Sequence, residues 1–175
     1  DGIVVLDEAY TDFSDNPSLA SLTSRYPNIV VMQTFSKAFG MASARVGIGF
    51  ADKSVIAYFN KIKYPYNVST LNQKAALGKL MNLKKKERQV SIIRKEKERM
   101  AAEISRLSPV KSVFPSDANF LLVRVTDATG IYEELLKMGI VTRNRSSVIE
   151  GCIRITVGTR EENRQLINAL KSIAG

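Results

Sequence analysis

The sequence has no histidine, no tryptophan and a single cysteine, Cys152. Without histidine, these residues form neither an imidazole-based metal site nor a Ser-His-Asp hydrolytic triad, and we expect no metal site. Acid–base chemistry is left to lysine, aspartate, glutamate, tyrosine or Cys152. One cysteine excludes an internal disulfide framework and is typical of proteins in the reducing cytoplasm, where we expect this protein to work.

Long apolar runs are also missing, although hydrophobic residues make up 45% of the 175 residues. No run approaches the roughly 18 residues that a helix needs to cross a bilayer, so we expect no membrane span. The length suffices for one ordinary core, or for one core and part of a second. The chain opens DGIVVLDEAY, which is typical of the middle of a domain, and we expect it to be a segment of a longer protein.

Acidic residues are the minority, because 26 Lys and Arg against 17 Asp and Glu give a net charge of +9. Much of the excess lies in residues 79–99, and such an excess can favour an acidic partner such as nucleic acid or phosphate. However, this stretch is helix-prone, carries Glu87, Glu96 and Glu98 as well, and lacks the interleaved aromatics of a single-strand-binding surface. We interpret it as a solvated helix face, and a nucleic-acid-binding module is the alternative from a different functional class.

Three apolar segments in the first fifty residues predict strands. Residues 3–6 and 29–32 are continuous runs typical of strands buried on both faces in a parallel sheet, whereas residues 45–50 alternate. Together they predict the later part of an α/β sheet rather than a complete one. A helix capped by Asp52 is predicted at 52–63, and a long helical region at 69–107 is predicted to bend or break near residues 82–86.

Beyond Pro109 the pattern changes to short alternating elements and predicts a small α+β domain. The predicted elements are strands at 110–114, 119–125 and 152–157 and a helix at 131–138 that ends at Gly139. Thr159 and Glu162 have the spacing of a capping box and predict the start of a last helix. We place the domain boundary in the long helical region, which gives domains at residues 1–85 and 86–175.

Polar side chains gather where the first two strands are predicted to end, and ligand sites of open α/β sheets lie at such carboxyl ends. The first strand ends in DEAY (7–10) and the second in TFSK (34–37). A partly desolvated lysine is suited to forming a Schiff base with a carbonyl compound, and Thr34, Ser36 and Arg45 are suited to holding a phosphate. Each residue alone is typical of a surface charge or a turn, and it is their joint arrangement that predicts a site.

These motifs resemble a known family. DEAY (7–10), TFSKAFGMA (34–42) and RVG (45–47) resemble the class II branch of the fold-type-I, pyridoxal-phosphate-dependent aminotransferases. SDANFLLVR (116–124), GIVTRNR (139–145) and GCIRITVGTREENRQLINAL (151–170) resemble the C-terminal domain of the histidinol-phosphate aminotransferases. The resemblance implies the C-terminal part of the large-domain sheet followed by a small α+β domain, with pyridoxal 5'-phosphate as cofactor, small-molecule substrates and a homodimer in the full-length protein.

The resemblance also implies roles at the cofactor. Lys37 would bind pyridoxal phosphate as a Schiff base and move the proton between the substrate Cα and the cofactor C4′. Asp7 would pair with the protonated pyridine nitrogen, and Tyr10 would hydrogen-bond the phenolic oxygen of the ring. The residues that would hold the cofactor phosphate are Thr34, Ser36 and Arg45.

The substrate side of the resemblance rests on three residues. Arg154 would bind the substrate carboxylate, Arg154 and Arg143 would hold the substrate phosphate, and Asn119 would line the same cleft. The implied reaction exchanges an amino group between glutamate and imidazole-acetol phosphate in histidine biosynthesis. The two arginines also suit an aromatic-amino-acid aminotransferase or a threonine-phosphate decarboxylase, so these alternatives stay open.

This sequence departs from the family pattern in one respect. Family members carry a glycine-rich phosphate turn, an aromatic residue that stacks on the pyridine ring and an asparagine at the phenolic oxygen, all in an N-terminal half that this sequence does not contain. Their sites are also completed by a second subunit. We therefore expect little or no transaminase activity from this chain alone.

Overall fold

The computed structural model describes residues 2–174. The chain divides into two compact units, Asp1–Val90 and Ser91–Gly175, and each is described by itself. The division falls inside a long helix, five residues after the boundary expected from the sequence. The domain limits of 1–85 and 86–175 stay a prediction. None of the helices within residues 2–174 combines the length and the apolar character needed to cross a membrane.

The first unit is built on a three-stranded sheet in the order β1-β2-β3. Its strands are β1 (Val4–Asp7), β2 (Ile29–Thr34) and β3 (Gly47–Ala51). β1 pairs with β2 in parallel, and β3 pairs with β2 in antiparallel orientation. The connection between β1 and β2 contains two short 3₁₀ helices, Thr11–Phe13 and Leu19–Ser24.

The expectation that residues 3–6 are buried on both faces was wrong. Ile3, Val4 and Val5 are 61%, 47% and 54% exposed. In β2, for which the same burial was expected, Val30 and Val31 are buried but Met32 is 43% exposed. β1 lies at the edge of the sheet, so within the described residues it has a paired neighbour on one side alone. The apolar β-branched run at residues 3–6 therefore predicted a strand correctly but did not predict its exposure.

The helices of the first unit follow their local signals. The predicted helix at 52–63 is α1 (Lys53–Ile62), and the Asp52 carboxylate accepts a hydrogen bond from the Ser54 N–H at 2.8 Å, as a cap does. The long helical region is α2 (Thr70–Leu80) and α3 (Leu83–Ile104), separated by a break at residues 81–82. The Asn82 side-chain oxygen accepts from the Lys85 N–H at 3.3 Å, which starts α3 one residue after the asparagine.

The second unit is a four-stranded antiparallel sheet in the order β4-β5-β7-β6 with helices on one face. Its elements after α3 are β4 (Val110–Val113), β5 (Phe120–Val125), α4 (Ala128–Lys137), β6 (Arg143–Asn144), β7 (Cys152–Thr156) and α5 (Arg160–Ala174). Leu121, Val123, Ile153 and Ile155 point from the central strands into the core that the helices cover. Because side chains alternate along a strand, their neighbours lie on the opposite face of the sheet.

The predicted strands and helices of this unit are confirmed, with two differences. The helix predicted at 131–138 begins earlier, at Ala128, because Asp127 accepts a hydrogen bond from the Gly130 N–H at 2.9 Å and caps it. The two-residue strand β6 is too short to leave a periodic pattern and was not predicted. The capping box is confirmed, since the Thr159 N–H donates to the Glu162 carboxylate at 2.7 Å and the Glu162 N–H donates to the Thr159 hydroxyl at 3.3 Å.

The interpretation of residues 79–99 as a solvated helix face holds for the exposed Lys84, Lys85 and Lys95. Lys97 is an exception, because it is 9% exposed and its ammonium donates to the backbone carbonyls of Ser116 and Ala118. A lysine's position in a basic stretch therefore does not determine whether the side chain faces water.

Candidate functional site

The strand register of the first unit brings the predicted cofactor residues to one end of the sheet. Asp7 ends β1 opposite Met32, and Thr34 ends β2 opposite Gly47, the first residue of β3. Because β3 runs antiparallel to β2, its beginning lies beside the end of β2. The residues that follow or precede these ends are Tyr10, Ser36, Lys37 and Arg45. The expected placement of these residues at one end of the sheet is thus confirmed, and their binding roles stay a prediction.

Residues 35–46 form a closed loop that presents Lys37. The Phe35 N–H donates to the Val46 carbonyl at 3.1 Å, which joins the two ends of the loop. Phe35, Met41 and Val46 are buried in one small core, and the Phe35 and Phe39 rings lie 4.7 Å apart. The loop backbone is therefore anchored by apolar packing on both sides of the lysine.

The Lys37 ammonium lies over the ring of Tyr10, with Nζ 5.0 Å from the ring centroid. The lysine is partly buried, and within residues 2–174 no carboxylate lies within ion-pair distance of it. A ring face stabilises an ammonium without forming a salt bridge to it. The amine is therefore held in place and is not tied to a counter-ion in this unit.

The neighbouring polar groups are partly used by the backbone. Asp7 Oδ1 accepts from the Ala9 N–H at 3.0 Å. The Thr34 hydroxyl donates to the Val46 carbonyl at 3.3 Å and accepts from the Ser36 N–H at 3.0 Å. Thr34 therefore shapes the turn before Lys37, so Ser36 and Arg45 are the better-placed donors for an added phosphate.

Arg45 occupies the left-handed region of backbone space, with φ 53° and ψ 46°. Its guanidinium Nη1 donates to the Ala42 carbonyl at 3.1 Å, and the side chain is exposed. A residue with a Cβ rarely adopts this conformation, and such strain is concentrated at functional positions in proteins. The unfavourable backbone conformation of Arg45 is consistent with a functional role for its side chain.

Glu8 was not singled out by its sequence, yet it organises this end of the sheet. Its carboxylate accepts hydrogen bonds from the Ser18 hydroxyl at 2.6 Å, the Leu19 N–H at 2.6 Å and the Gln33 amide at 2.9 Å. Burial alone would raise the pKa of Glu8, but these three hydrogen bonds outweigh it and lower the pKa below its ordinary value. All three partners depend on the tertiary fold, so no local pattern could have revealed them.

The second unit places two of the predicted substrate residues side by side. Arg143 of β6 lies directly opposite Arg154 of β7 in the antiparallel register. Within residues 2–174 neither guanidinium has a carboxylate within 4.0 Å, and the buried Arg154 Nε has no hydrogen-bond partner. Like charges directly opposite each other are unfavourable in a sheet, and an anion bound between the two guanidinium groups would offset their repulsion.

Asn119 lies immediately before β5, and its carbonyl accepts from the Val157 N–H at 2.9 Å. This bond places Asn119 beside the end of β7, one residue before Phe120, whose register partner is Thr156. Phe120 was not predicted as a site residue, although the Arg154 guanidinium carbon lies 5.0 Å from its ring centroid. That contact joins two strands, so the sequence of neither strand alone could have predicted it.

The donor set of the first unit fits a phosphorylated aldehyde such as pyridoxal phosphate. Lys37 offers an amine without a counter-ion in its unit, Asp7 a carboxylate for a ring nitrogen, and Tyr10 a phenol beside the amine. Ser36 and Arg45 offer donors for a phosphate at the same end of the sheet. The assignment of these roles stays a proposal.

Comparisons with known proteins agree with this chemistry. The sequence model of the family "Aminotransferase class I and II" matches residues 1–170. The chain is 50% identical over 173 residues to a histidinol-phosphate aminotransferase of Bacteroides fragilis, which covers 98% of this chain and 50% of that protein. The chain thus spans about half the length of the curated relatives it matches.

Solved structures show the same fold. The histidinol-phosphate aminotransferase of Clostridium acetobutylicum superposes with a TM-score of 0.92 at 26% identity, over 98% of this chain and 54% of that one. The corresponding enzyme of Sinorhizobium meliloti, solved in complex with pyridoxal-5'-phosphate, gives a TM-score of 0.88 at 26% identity, over 98% and 48%. The expected fold class, an α/β part of an aminotransferase large domain followed by an α+β domain, is confirmed. This chain belongs to the class I and II aminotransferases, a family that depends on pyridoxal phosphate.

Proposed function

We propose that this chain is part of a histidinol-phosphate aminotransferase, which exchanges an amino group between histidinol phosphate and 2-oxoglutarate in histidine biosynthesis. The observation that carries the proposal is the Lys37 amine, held over the Tyr10 ring at the sheet end and without a counter-ion in its unit. The relatives at 43–50% identity with the name histidinol-phosphate aminotransferase favour this substrate over phenylalanine or threonine phosphate.

The residues of the first unit would bind the cofactor and move a proton. Pyridoxal phosphate, when bound, supplies an electron sink for the charge that develops as the substrate Cα loses its proton. Lys37 would attach the cofactor and then act as the base at Cα. Asp7 would hold the proton on the pyridine nitrogen, and Tyr10 would donate to the phenolic oxygen. Ser36 and Arg45 would hold the phosphate, with Thr34 fixing the turn between them.

The residues of the second unit would bind the anionic ends of the substrates. A planar guanidinium binds either a carboxylate or a phosphate through paired N–H donors, so Arg143 and Arg154 suit both glutamate and a phosphate ester. Asn119 would add a polar contact beside β7. An aminotransferase that alternates between two anionic substrates needs this tolerance.

We further propose that the complete enzyme is a cytoplasmic homodimer. The single buried cysteine, Cys152, is consistent with a reducing compartment. Tyr58, Ile62, Tyr64 and Tyr66 are 66%, 79%, 83% and 95% exposed, and a group of exposed apolar side chains in one segment is typical of an interface. Nucleic-acid binding through residues 79–99 has less support, because Lys97 and Arg99 already bind carbonyl and carboxylate groups of the second unit.

Lys37→Ala in the complete enzyme tests the assignment of the lysine. Reduction with borohydride in the presence of pyridoxal phosphate should attach a phosphopyridoxyl group to the peptide that contains Lys37, as seen by mass spectrometry. The variant should lose both this label and transamination, whereas Lys61→Ala, which removes another lysine with its ammonium over a tyrosine ring, should keep them. Labelling that persists undiminished in Lys37→Ala would contradict the assignment. Comparing kcat/KM for histidinol phosphate, phenylalanine and threonine phosphate then identifies the substrate.

A further inference from the structure

The guanidinium of Arg154 is supported by an aromatic ring. Its central carbon lies 5.0 Å from the centroid of the Phe120 ring. β5 and β7 are antiparallel, with Phe120 opposite Thr156 and Leu122 opposite Arg154, so the ring and the guanidinium are diagonal neighbours. Diagonal neighbours on one face of a sheet are within reach of aromatic and long side chains. The contact is therefore set by the strand register.

A ring supports a cation differently from a carboxylate. An ion pair would occupy the N–H donors of Arg154 and cancel its charge, whereas a ring face stabilises the cation and leaves the donors in the guanidinium plane available. Within residues 2–174 no carboxylate lies within 4.0 Å of Arg154, and its buried Nε has no hydrogen-bond partner. The ring is thus the contact that holds the guanidinium while its donors remain unused.

The position of Arg143 increases the need for such support. Arg143 lies directly opposite Arg154 on β6, and the two cations repel each other. An arginine side chain also has many rotamers, and fixing one of them before an anion arrives lowers the entropic cost of binding. A ring that fixes Arg154 against this repulsion would increase the affinity of the pair for an anion.

We propose that Phe120 is a positioning residue that holds Arg154 ready to bind the phosphate or carboxylate of the substrate. This inference rests on the proposed function, because it takes Arg154 as a substrate-binding residue. Phe120 itself contacts the arginine and takes no part in proton transfer. Replacing Phe120 should therefore change the affinity for anions and leave the rate of the chemical step unchanged.

The test is Phe120→Leu in the complete enzyme, with Phe120→Tyr as the matched aromatic control. The leucine variant should raise the KM for histidinol phosphate, and the inhibition constant of inorganic phosphate, by about three- to thirty-fold, the range expected for a cation–π contact that is partly shielded from water. The kcat and the cofactor absorbance should stay unchanged. The tyrosine variant should restore both constants to within about two-fold of the original enzyme, since it keeps the ring face.

Arg154→Ala separates failure of this inference from failure of the proposed function. If Arg154→Ala raises the KM and Phe120→Leu does not, or if the tyrosine variant does not restore it, the positioning role is wrong and the proposed function stands. If Arg154→Ala leaves the KM unchanged, the substrate-binding role of Arg154 is wrong and the inference fails with it. If Phe120→Leu does not fold, Phe120→Met takes its place, and an unchanged inhibition constant for phosphate in that variant would also overturn the inference. If Phe120 acts by positioning Arg154, the double variant Phe120→Leu with Arg154→Ala should have the same KM as Arg154→Ala alone.

Discussion

At the scale of single residues, Arg45 combines a backbone cost with a proposed binding role. Among residues 2–174 it is the non-glycine residue with positive φ, at 53°. For a residue with a Cβ, the left-handed conformation is about 1 kcal/mol or more less favourable than it is for glycine. An arginine kept under such strain suggests that the guanidinium is needed at that position.

Arg45→Gly should therefore separate stability from cofactor affinity. We expect the free energy of unfolding of the chain without cofactor to stay unchanged or to rise by up to about 1 kcal/mol, because the strain is relieved. The dissociation constant of pyridoxal phosphate in the complete enzyme should rise by roughly ten- to a hundred-fold through loss of charged hydrogen bonds to the phosphate. Urea denaturation and a cofactor titration measure the two quantities.

Arg45→Ala is the control for this pair of effects. It removes the same guanidinium and keeps a Cβ in the strained conformation, so it should lose affinity without gaining stability. Equal cofactor affinity in Arg45→Gly and the original enzyme would remove Arg45 from the phosphate site. If Arg45→Gly and Arg45→Ala lower the free energy of unfolding equally, the backbone of Arg45 is not strained in the original chain.

At the scale of elements, Glu8 joins the end of β1 to the 3₁₀ helix Leu19–Ser24 and to β2. It accepts three hydrogen bonds, from Ser18, Leu19 and Gln33, and these keep its pKa below the ordinary value of 4.5 despite the opposing effect of burial. A group whose pKa is depressed by folding stabilises the fold above its unfolded pKa and loses that contribution as the pH falls through the folded pKa. The contribution of Glu8 is therefore present at neutral pH and lost in acid.

Glu8→Gln should destabilise the chain at pH 7 and make less difference as the pH falls through the lowered pKa of Glu8, because below it the carboxylate is protonated in both states. Urea denaturation of both proteins at several pH values between 7 and 3 measures this difference. Glu150→Gln, which removes an exposed carboxylate in the other unit, is the control and should change stability little at any pH. A stability difference for Glu8→Gln that is constant over this range would contradict a role for the charge.

At the scale of the whole molecule, β1 is an exposed apolar edge strand. Ile3 and Val5 are 61% and 54% exposed, and one side of the strand has no paired neighbour within the described residues. Exposed apolar edges pair readily with other chains, and proteins usually cover or charge them. The chain also spans about half the length of the curated relatives it matches.

We expect the 175-residue chain by itself to self-associate in a concentration-dependent way. Val5→Lys should shift it toward the monomer in sedimentation velocity, because a lysine on an edge strand disfavours pairing. Val148→Lys, at a site that is 65% exposed in the other unit, adds the same charge and should not cause this shift. A chain that stays monomeric at all concentrations, or equal effects of the two substitutions, would contradict the role of β1.

Much of the fold could be predicted because its signals are local. The Asp52 cap, the Thr159–Glu162 capping box and the break after α2 each involve residues within a few positions of each other, and the structure confirms them. The placement of DEAY and TFSK at one sheet end could also be predicted, because they follow two apolar strands, and the parallel pairing of β1 with β2 confirms that placement. The roles of their side chains stay a proposal. The burial of β1 was mispredicted, since the same residues form an edge strand or a central strand according to what lies beside them.

The sequence by itself determined which chemical groups this protein has and where most of its helices and strands lie, because these depend on residue type and near neighbours. The tertiary structure alone decided which groups meet: the Lys37 ammonium over Tyr10, the three donors around Glu8, and Phe120 beneath Arg154. It also decided that Arg143 and Arg154 face each other, through a two-residue strand that no periodicity reveals. These contacts join segments far apart in the chain, and strand register and packing, which fix them, are properties of the fold.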